Sequence, residues 1–179
     1  LLPWLTQNFK FKNKPIYVIR HPFAVVASQL KQGGWNFDFK GFEIPTGRYS
    51  EYYNPHVDFL KSLKTKEESL VATWCLCNLV PLRNKRNNVD WMTFNYEEII
   101  LNPERNMSRI INEYGLDADY SNLNFEKPSQ TTIHNKKISG QAQIEHWVNS
   151  FDKVQIRQMT NVLDYFKVEE YQWVILKPS

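Results

Sequence analysis

The fold class is indicated first by the sequence Pro15-Ile16-Tyr17-Val18-Ile19-Arg20-His21-Pro22. Residues 15–19 form a short apolar run with β-branched side chains and no polar alternation, which predicts a buried strand in a parallel sheet. His21-Pro22 ends this strand, and a proline suits the first turn of a helix because that turn has no use for its missing N–H. The stretch therefore predicts a strand that turns directly into a helix.

The helix after this strand is predicted from its apolar spacing. Four apolar side chains recur at positions i, i+3, i+4 and i+7, which is one face of a helix, and they are Phe23, Val26, Ala27 and Leu30. Gly33-Gly34 suits the end of that helix. Residues 15–32 are therefore predicted to form a strand–turn–helix unit.

The rest of the chain alternates between further predicted elements. In chain order these are an irregular aromatic segment with a short helix over 33–60, a buried helix over 67–82, a polar break at 83–88 and a strand over 89–94. They are followed by a helix from an Asn102 cap and Pro103 to Gly115, a loop-rich stretch over 116–140, and helices over 141–149 and 152–166. Strands that alternate with helices indicate an α/β layer fold with a parallel sheet.

Composition narrows the class of protein. The chain has 179 residues, 42% of them hydrophobic and 23% charged, a balance typical of one globular domain over 1–179. No apolar run approaches the length of about 18 residues that a membrane span needs. The net charge of +3 is too small to indicate nucleic-acid binding by itself. Cys75 and Cys77 would point about 200° apart on a helix, so no pairing is expected, and a reducing, cytoplasmic compartment is favoured.

Arg20 and Ser28 are the first candidates for a binding site. Ligands of open α/β sheets gather at the carboxyl ends of the strands, where Arg20 is expected to lie. A guanidinium matches phosphate oxygens, and the helix start adds N–H groups and a positive dipole end. Ser28 falls off the apolar face of that helix, so both side chains could hold one phosphate. The alternative is an arginine that pairs with a surface carboxylate and a serine that faces water.

Tyr96 is the second candidate, because it follows the predicted strand over 89–94. A tyrosine at a strand end can stack on a nucleotide base or hydrogen-bond to it. The alternative is that the ring only covers the core. No Cys/His cluster has zinc spacing, so the sequence predicts no metal site.

The segment 16–22, with Ser28 eight residues after Arg20, resembles the 3′-phosphate-binding motif of the sulfotransferases. That motif is an apolar strand, an arginine, a polar residue, a proline, and a serine eight residues beyond the arginine. Residues 93–115 are similar to the family's later strand, its Tyr-Glu pair, and its Asn-Pro helix that ends at glycine. Residues 147–150 are similar to its Trp-x-x-Ser/Thr element.

The resemblance implies a three-layer α/β fold with a mostly parallel sheet, of the P-loop nucleotide-kinase-like kind. It implies sulfuryl transfer from 3′-phosphoadenosine 5′-phosphosulfate to a hydroxyl or amine, with adenosine 3′,5′-bisphosphate as the product. Arg20 and Ser28 would bind the 3′-phosphate, Tyr96 would lie at the nucleotide, and Lys136 and Lys137 would contact phosphate. The aromatic loop over 33–60 would lie on the side of a small-molecule or carbohydrate acceptor.

The chain also departs from the family pattern. It contains no glycine-containing 5′-phosphosulfate loop, and no catalytic base can be identified. We therefore expect 1–179 to be the C-terminal portion of a sulfotransferase-like domain. Such an N-terminally incomplete copy is expected to be inactive by itself. Two other functions stay open, a non-catalytic module that binds anions or polysaccharides and a kinase-type phosphotransferase. The sequence upstream would distinguish these alternatives.

Overall fold

A computed structural model describes residues 1–33, 38–118 and 140–169 of the chain. In order, the helices and strands are α1 (Leu2–Asn8), β1 (Ile16–Ile19), α2 (Pro22–Lys31), α3 (Ser50–Tyr53), α4 (Val57–Ser62), α5 (Lys66–Leu82), β2 (Met92–Asn95), α6 (Tyr96–Leu101), α7 (Pro103–Tyr114), α8 (Gly140–Glu145) and α9 (Lys153–Tyr165). Short 3₁₀ turns cover Gly47–Tyr49, Asn54–His56 and His146–Ser150. The chain is an α/β protein, as its alternating pattern predicts.

The two strands form a parallel sheet. Residues pair in register from Ile16 with Met92 to Ile19 with Asn95, and within the described ranges these two strands are the whole sheet. The predicted parallel pairing is therefore confirmed. Because the two strands are parallel and pair in register, their carboxyl ends lie at the same edge of the sheet.

The prediction that β1 is a buried strand is wrong for one of its faces. The side chain of Ile19 is 2% exposed, whereas Ile16 is 40% exposed and Val18 is 52% exposed. Side chains two residues apart point to the same face of a strand, so Ile16 and Val18 share a face that is open to solvent. The apolar run predicted the strand correctly. It does not indicate whether other residues pack over each face of the strand.

The second strand begins later than the predicted 89–94, because residues 84–90 form turns. Asn88 has left-handed backbone with φ of 59°, and its Oδ1 accepts a hydrogen bond from the Thr93 N–H at 3.0 Å. Asn87 accepts from the Thr93 hydroxyl at 2.6 Å. Arg86 binds the carboxylate of Asp90 with two N–H groups. These side chains hold the chain in turns up to the start of β2.

The chain divides into two compact units, Leu1–Arg20 with Pro81–His146 and His21–Val80 with Trp147–Ser179. We call them the first and the second unit. The first contains the sheet and buries the side chains of Ile19, Trp91, Met92, Phe94 and Ile144.

Helix α7 ends in the first unit as its sequence predicts. Gly115 adopts left-handed backbone with φ of 60°, a conformation that glycine accepts without steric cost. At the other end of α7, Asn102 occupies the N-cap position, but its side chain makes no capping hydrogen bond. Its Nδ2 donates to Glu98 Oε2 at 3.0 Å instead, so the predicted side-chain cap is wrong.

The second unit is built around α5 and α9. Helix α5 buries the side chains of Leu70, Val71, Ala72, Trp74, Cys75 and Leu79 in this unit. Helix α9 begins at a capping box in which Asp152 accepts from the N–H groups of Val154 and Gln155, both at 2.8 Å. Gln155 Nε2 also donates to Glu67 Oε1 on α5 at 3.2 Å. The predicted helices over 67–82 and 152–166 are confirmed.

Candidate functional site

Arg20 and Tyr96 lie together at the carboxyl edge of the sheet. The Cζ atom of Arg20 is 4.7 Å from the centroid of the Tyr96 ring, which is a cation–π contact. Both side chains are half-buried. The structure therefore joins two residues that the sequence singled out separately, and it does so within the first unit.

The local sequence explains this contact. Arg20 directly follows β1, and Tyr96 directly follows β2 as the first residue of α6. Since Ile19 and Asn95 are partners in the parallel register, the residues after them emerge side by side. A long arginine side chain can then lie across the neighbouring aromatic ring.

The stacked guanidinium suits the recognition of a planar or tetrahedral anion. Arginine carries five N–H donors in one plane, and stacking on a ring fixes the orientation of that plane. Donors fixed in this way can bind two oxygens of a carboxylate or a phosphate at once. The Tyr96 ring thus restricts where the guanidinium can place an anion.

A buried carboxyl group lies next to Tyr96 in the chain. Glu97, on α6, has 2% of its surface exposed. The sequence shows a Tyr-Glu-Glu run at this position. Three residues are too few to indicate which of the two glutamates is buried. Helix α6 also contacts α7 and α8, so the segment after β2 is held from more than one side.

His21 holds the start of α2 in the second unit. Its Nδ1 accepts a hydrogen bond from the Phe23 N–H at 3.2 Å, which makes it the N-cap of the helix. Its ring stacks on Trp147, with centroids 4.7 Å apart and an interplanar angle of 10°. The ring of Phe23 meets both edge-on. Nothing in the sequence indicates the stack, since His21 and Trp147 are far apart along the chain.

Ser28 lies on α2 in the second unit and is half-buried. Its Oγ accepts a long hydrogen bond of 3.5 Å from Gln32 Nε2. The hypothesis that Ser28 and Arg20 hold the same phosphate stays a prediction from their spacing in the sequence. Lys136 and Lys137, the other predicted phosphate contacts, lie outside the described residues.

The aromatic segment over 33–60 is described from residue 38 onward. It is irregular up to residue 46 and then forms short helices, as predicted. His56 and Phe59 of this segment form a ring cluster with Tyr165 at the end of α9 and with Phe166, the residue after it. In it the Phe59 and Tyr165 rings stack 3.6 Å apart, and the ring nitrogen Nδ1 of His56 lies 3.1 Å from the Tyr165 hydroxyl.

Tyr53 belongs to the same aromatic segment. Partial burial, followed by the charge of the nearby Cys77, raises the pKa of the Tyr53 hydroxyl. The higher pKa favours the protonated hydroxyl, which can act as a hydrogen-bond donor. Its ring lies 6.4 Å from that of Phe42.

The described ranges lack two further kinds of feature. They hold no group of three or more His, Cys, Asp or Glu side chains placed to bind a metal ion. None of the helices there is both long and apolar enough to cross a membrane.

Comparison with known proteins adds no assignment. No protein-family model matches the chain, and no curated protein or solved structure matches it significantly. The functional interpretation therefore depends on the sequence motif and on the contacts that the structure describes.

Proposed function

We propose that this chain binds 3′-phosphoadenosine 5′-phosphosulfate as part of a sulfotransferase with a three-layer P-loop fold. One observation carries the proposal: Arg20 stacks on Tyr96 where two parallel strands end in register. The sulfotransferase-like motif depends on an arginine at this kind of position. The contact gives that arginine a fixed orientation at the edge of the sheet where α/β proteins bind ligands.

In this proposal Arg20 binds the 3′-phosphate of the nucleotide. A charge-assisted hydrogen bond to a phosphate oxygen is stronger than one between neutral groups. The 3′-phosphate is remote from the sulfur that reacts, so binding there orients the sulfuryl group without taking part in the chemistry. The Tyr96 ring contacts the guanidinium, and Ser28 is the second ligand that the motif predicts.

The reaction would be an in-line displacement at sulfur. The acceptor oxygen or nitrogen forms a bond to sulfur while the bond from sulfur to the bridging oxygen of the 5′-phosphate breaks. The leaving group is adenosine 3′,5′-bisphosphate, and the acceptor proton passes to a base. Positioning and electrostatic stabilisation dominate such transfers, as they do in phosphoryl transfer.

Nucleotide discrimination tests this function directly. Calorimetric titration of the chain with adenosine 3′,5′-bisphosphate and with adenosine 5′-phosphate compares ligands that differ in the 3′-phosphate alone. We expect the bisphosphate to bind at least about tenfold more tightly, because the second ligand leaves the arginine without its anion. Equal binding contradicts the proposal. A preference for adenosine 5′-triphosphate with magnesium favours a kinase-type phosphotransferase instead.

A further inference from the structure

Three aromatic rings and two lysines form an exposed surface at residues 4–12 of the first unit. We call Trp4, Phe9, Lys10, Phe11 and Lys12 the aromatic–lysine surface. The side chain of Trp4 is 55% exposed, that of Phe9 is 54% exposed and that of Phe11 is 47% exposed. The rings of Trp4 and Phe9 meet edge-on, with centroids 5.8 Å apart. Both lysines are exposed as well.

Each of these rings keeps about half of its surface exposed in the part of the chain that the structure describes. Helix α1, which carries Trp4, buries none of its residues. Large apolar side chains usually supply the core of a domain, so three exposed rings within nine residues are unusual for a surface that meets only water. The aromatic–lysine surface is therefore suited to contact with an apolar partner.

The charged residues that neighbour these rings along the chain have one sign. Residues 1–37 contain four lysines and one arginine and no aspartate or glutamate. Lys14 is neutralised by Glu113, with its Nζ 2.6 Å from the carboxylate oxygen. Lys10 and Lys12 alternate with Phe9 and Phe11 along the chain. The partner of this surface is thus expected to be both apolar and anionic.

We propose that the aromatic–lysine surface docks on an anionic lipid bilayer. Tryptophan and phenylalanine rings bury favourably at the boundary between head groups and acyl chains, and nearby lysines are attracted to anionic head groups. A second copy of the chain is a poorer partner, because a symmetric contact would bring the lysines of both copies together. This role is independent of the nucleotide site.

Vesicle binding by the whole chain tests the proposal. Co-sedimentation with phosphatidylcholine vesicles is compared with vesicles in which about a third of the lipid is phosphatidylserine. We expect at least about tenfold tighter binding to the anionic vesicles, and a loss of this difference at high salt, because ions screen exposed charges. Equal binding to both vesicles, or to neither, overturns the proposal.

Paired variants separate the contribution of the rings from that of the charges. We expect K10E/K12E to weaken binding to anionic vesicles at least about tenfold, and W4A/F9A to do the same. K61E/K153E and Y52A are matched controls, since they change exposed lysines and an exposed ring of the second unit. These controls should bind like the unchanged chain, with circular dichroism confirming that every variant is folded.

Two results would overturn the proposal even if the chain sediments with vesicles. One is an equal loss of binding in the control variants, which indicates a general electrostatic effect. The other is concentration-dependent dimerisation that disappears in W4A/F9A, measured by sedimentation velocity without lipid. That outcome assigns the surface to a second copy of the chain.

Discussion

The guanidinium carbon of Arg20 lies 4.7 Å from the centroid of the Tyr96 ring, and each residue directly follows a strand of the parallel pair. The contact brings together two positions that are distant along the chain. It depends on the register in which Ile19 pairs with Asn95, so a shift of one residue in that register would separate the two side chains. The sheet thereby sets the geometry of the candidate anion site.

Replacing the ring of Tyr96 tests whether stacking orients Arg20. Tyr96→Leu removes the cation–π contact, which contributes about 0.5–1 kcal/mol at an exposed site, whereas Tyr96→Phe keeps it. We expect Tyr96→Leu to weaken the binding of adenosine 3′,5′-bisphosphate about two- to fivefold in calorimetric titration. Tyr96→Phe should bind nearly like the unchanged chain. If both variants lose the same affinity, the hydroxyl rather than the ring is responsible.

His21 is predicted to stabilise the second unit through two separable contacts. His21→Ala removes the cap on the Phe23 N–H, at about 0.5–2 kcal/mol, and the stack on Trp147, at about 0.5–1.5 kcal/mol. His21→Asn restores an oxygen acceptor at the cap but not the ring. Urea unfolding should therefore rank the unchanged chain above His21→Asn, and His21→Asn above His21→Ala.

An exposed histidine serves as the control for this series. His146→Ala is expected to change the free energy of unfolding by no more than about 0.5 kcal/mol, because His146 is on the surface. A loss in His21→Ala no larger than that of His146→Ala would show that the cap and the stack contribute little.

Gly115 provides a test of the end of α7. An added Cβ would meet no heavy atom within 4 Å, so the effect of Gly115→Ala comes from the backbone conformation at φ of 60°. Left-handed backbone costs an alanine roughly 1–2 kcal/mol. We expect Gly115→Ala to destabilise by about that amount in chemical unfolding, and Gly115→Asn to destabilise less. An alanine variant as stable as the unchanged chain would mean that α7 ends in another way.

The order of the secondary-structure elements could be predicted because their signals are local. Residues 16–19 are β-branched and aromatic, Pro22 starts α2, and Gly115 ends α7, and each of these effects acts within a few residues. The register of β1 with β2 has no such local signal. It follows from contacts between distant segments, which one sequence does not reveal.

The contacts at the candidate site also join segments that are distant along the chain. The sequence predicts that Arg20 and Tyr96 each lie at a strand end. The contact between them follows from the way the two strands pair. The stack of His21 on Trp147 could not be predicted, since neither residue carries a pattern that indicates the other. The strand β2 begins later than predicted because Asn88 Oδ1 accepts a hydrogen bond from the Thr93 N–H, and this local contact competes with the apolar periodicity.

The carboxyl group of Asp90 should titrate below its ordinary range. Hydrogen bonds from the Arg86 guanidinium, with its charge, lower the pKa of Asp90 in the folded chain. A lowered pKa stabilises the fold above the pKa of the unfolded chain, and the gain is lost as pH falls through the folded value. The pair is on the surface, so the change in stability is small and the titration is the better measurement.

Carbon-detected NMR of the side-chain carboxyl reports this titration. In Arg86→Gln the midpoint of Asp90 should move to higher pH. Arg105→Gln removes an exposed arginine of the same unit and should leave the Asp90 midpoint in place. An unchanged midpoint in Arg86→Gln would show that the contact does not persist in solution.

The binding of adenosine 3′,5′-bisphosphate to Arg20→Ala is the decisive measurement for a 3′-phosphate site at Arg20. A hydrogen bond to a charged group contributes about 1.5–3 kcal/mol, so its loss should weaken binding about 10- to 100-fold in calorimetric titration. Arg105→Ala, which removes a positive charge elsewhere in the first unit, should bind like the unchanged chain. Circular dichroism establishes that both variants are folded. We expect a selective loss of affinity in Arg20→Ala, whereas an affinity equal to that of Arg105→Ala would show that Arg20 does not bind the 3′-phosphate.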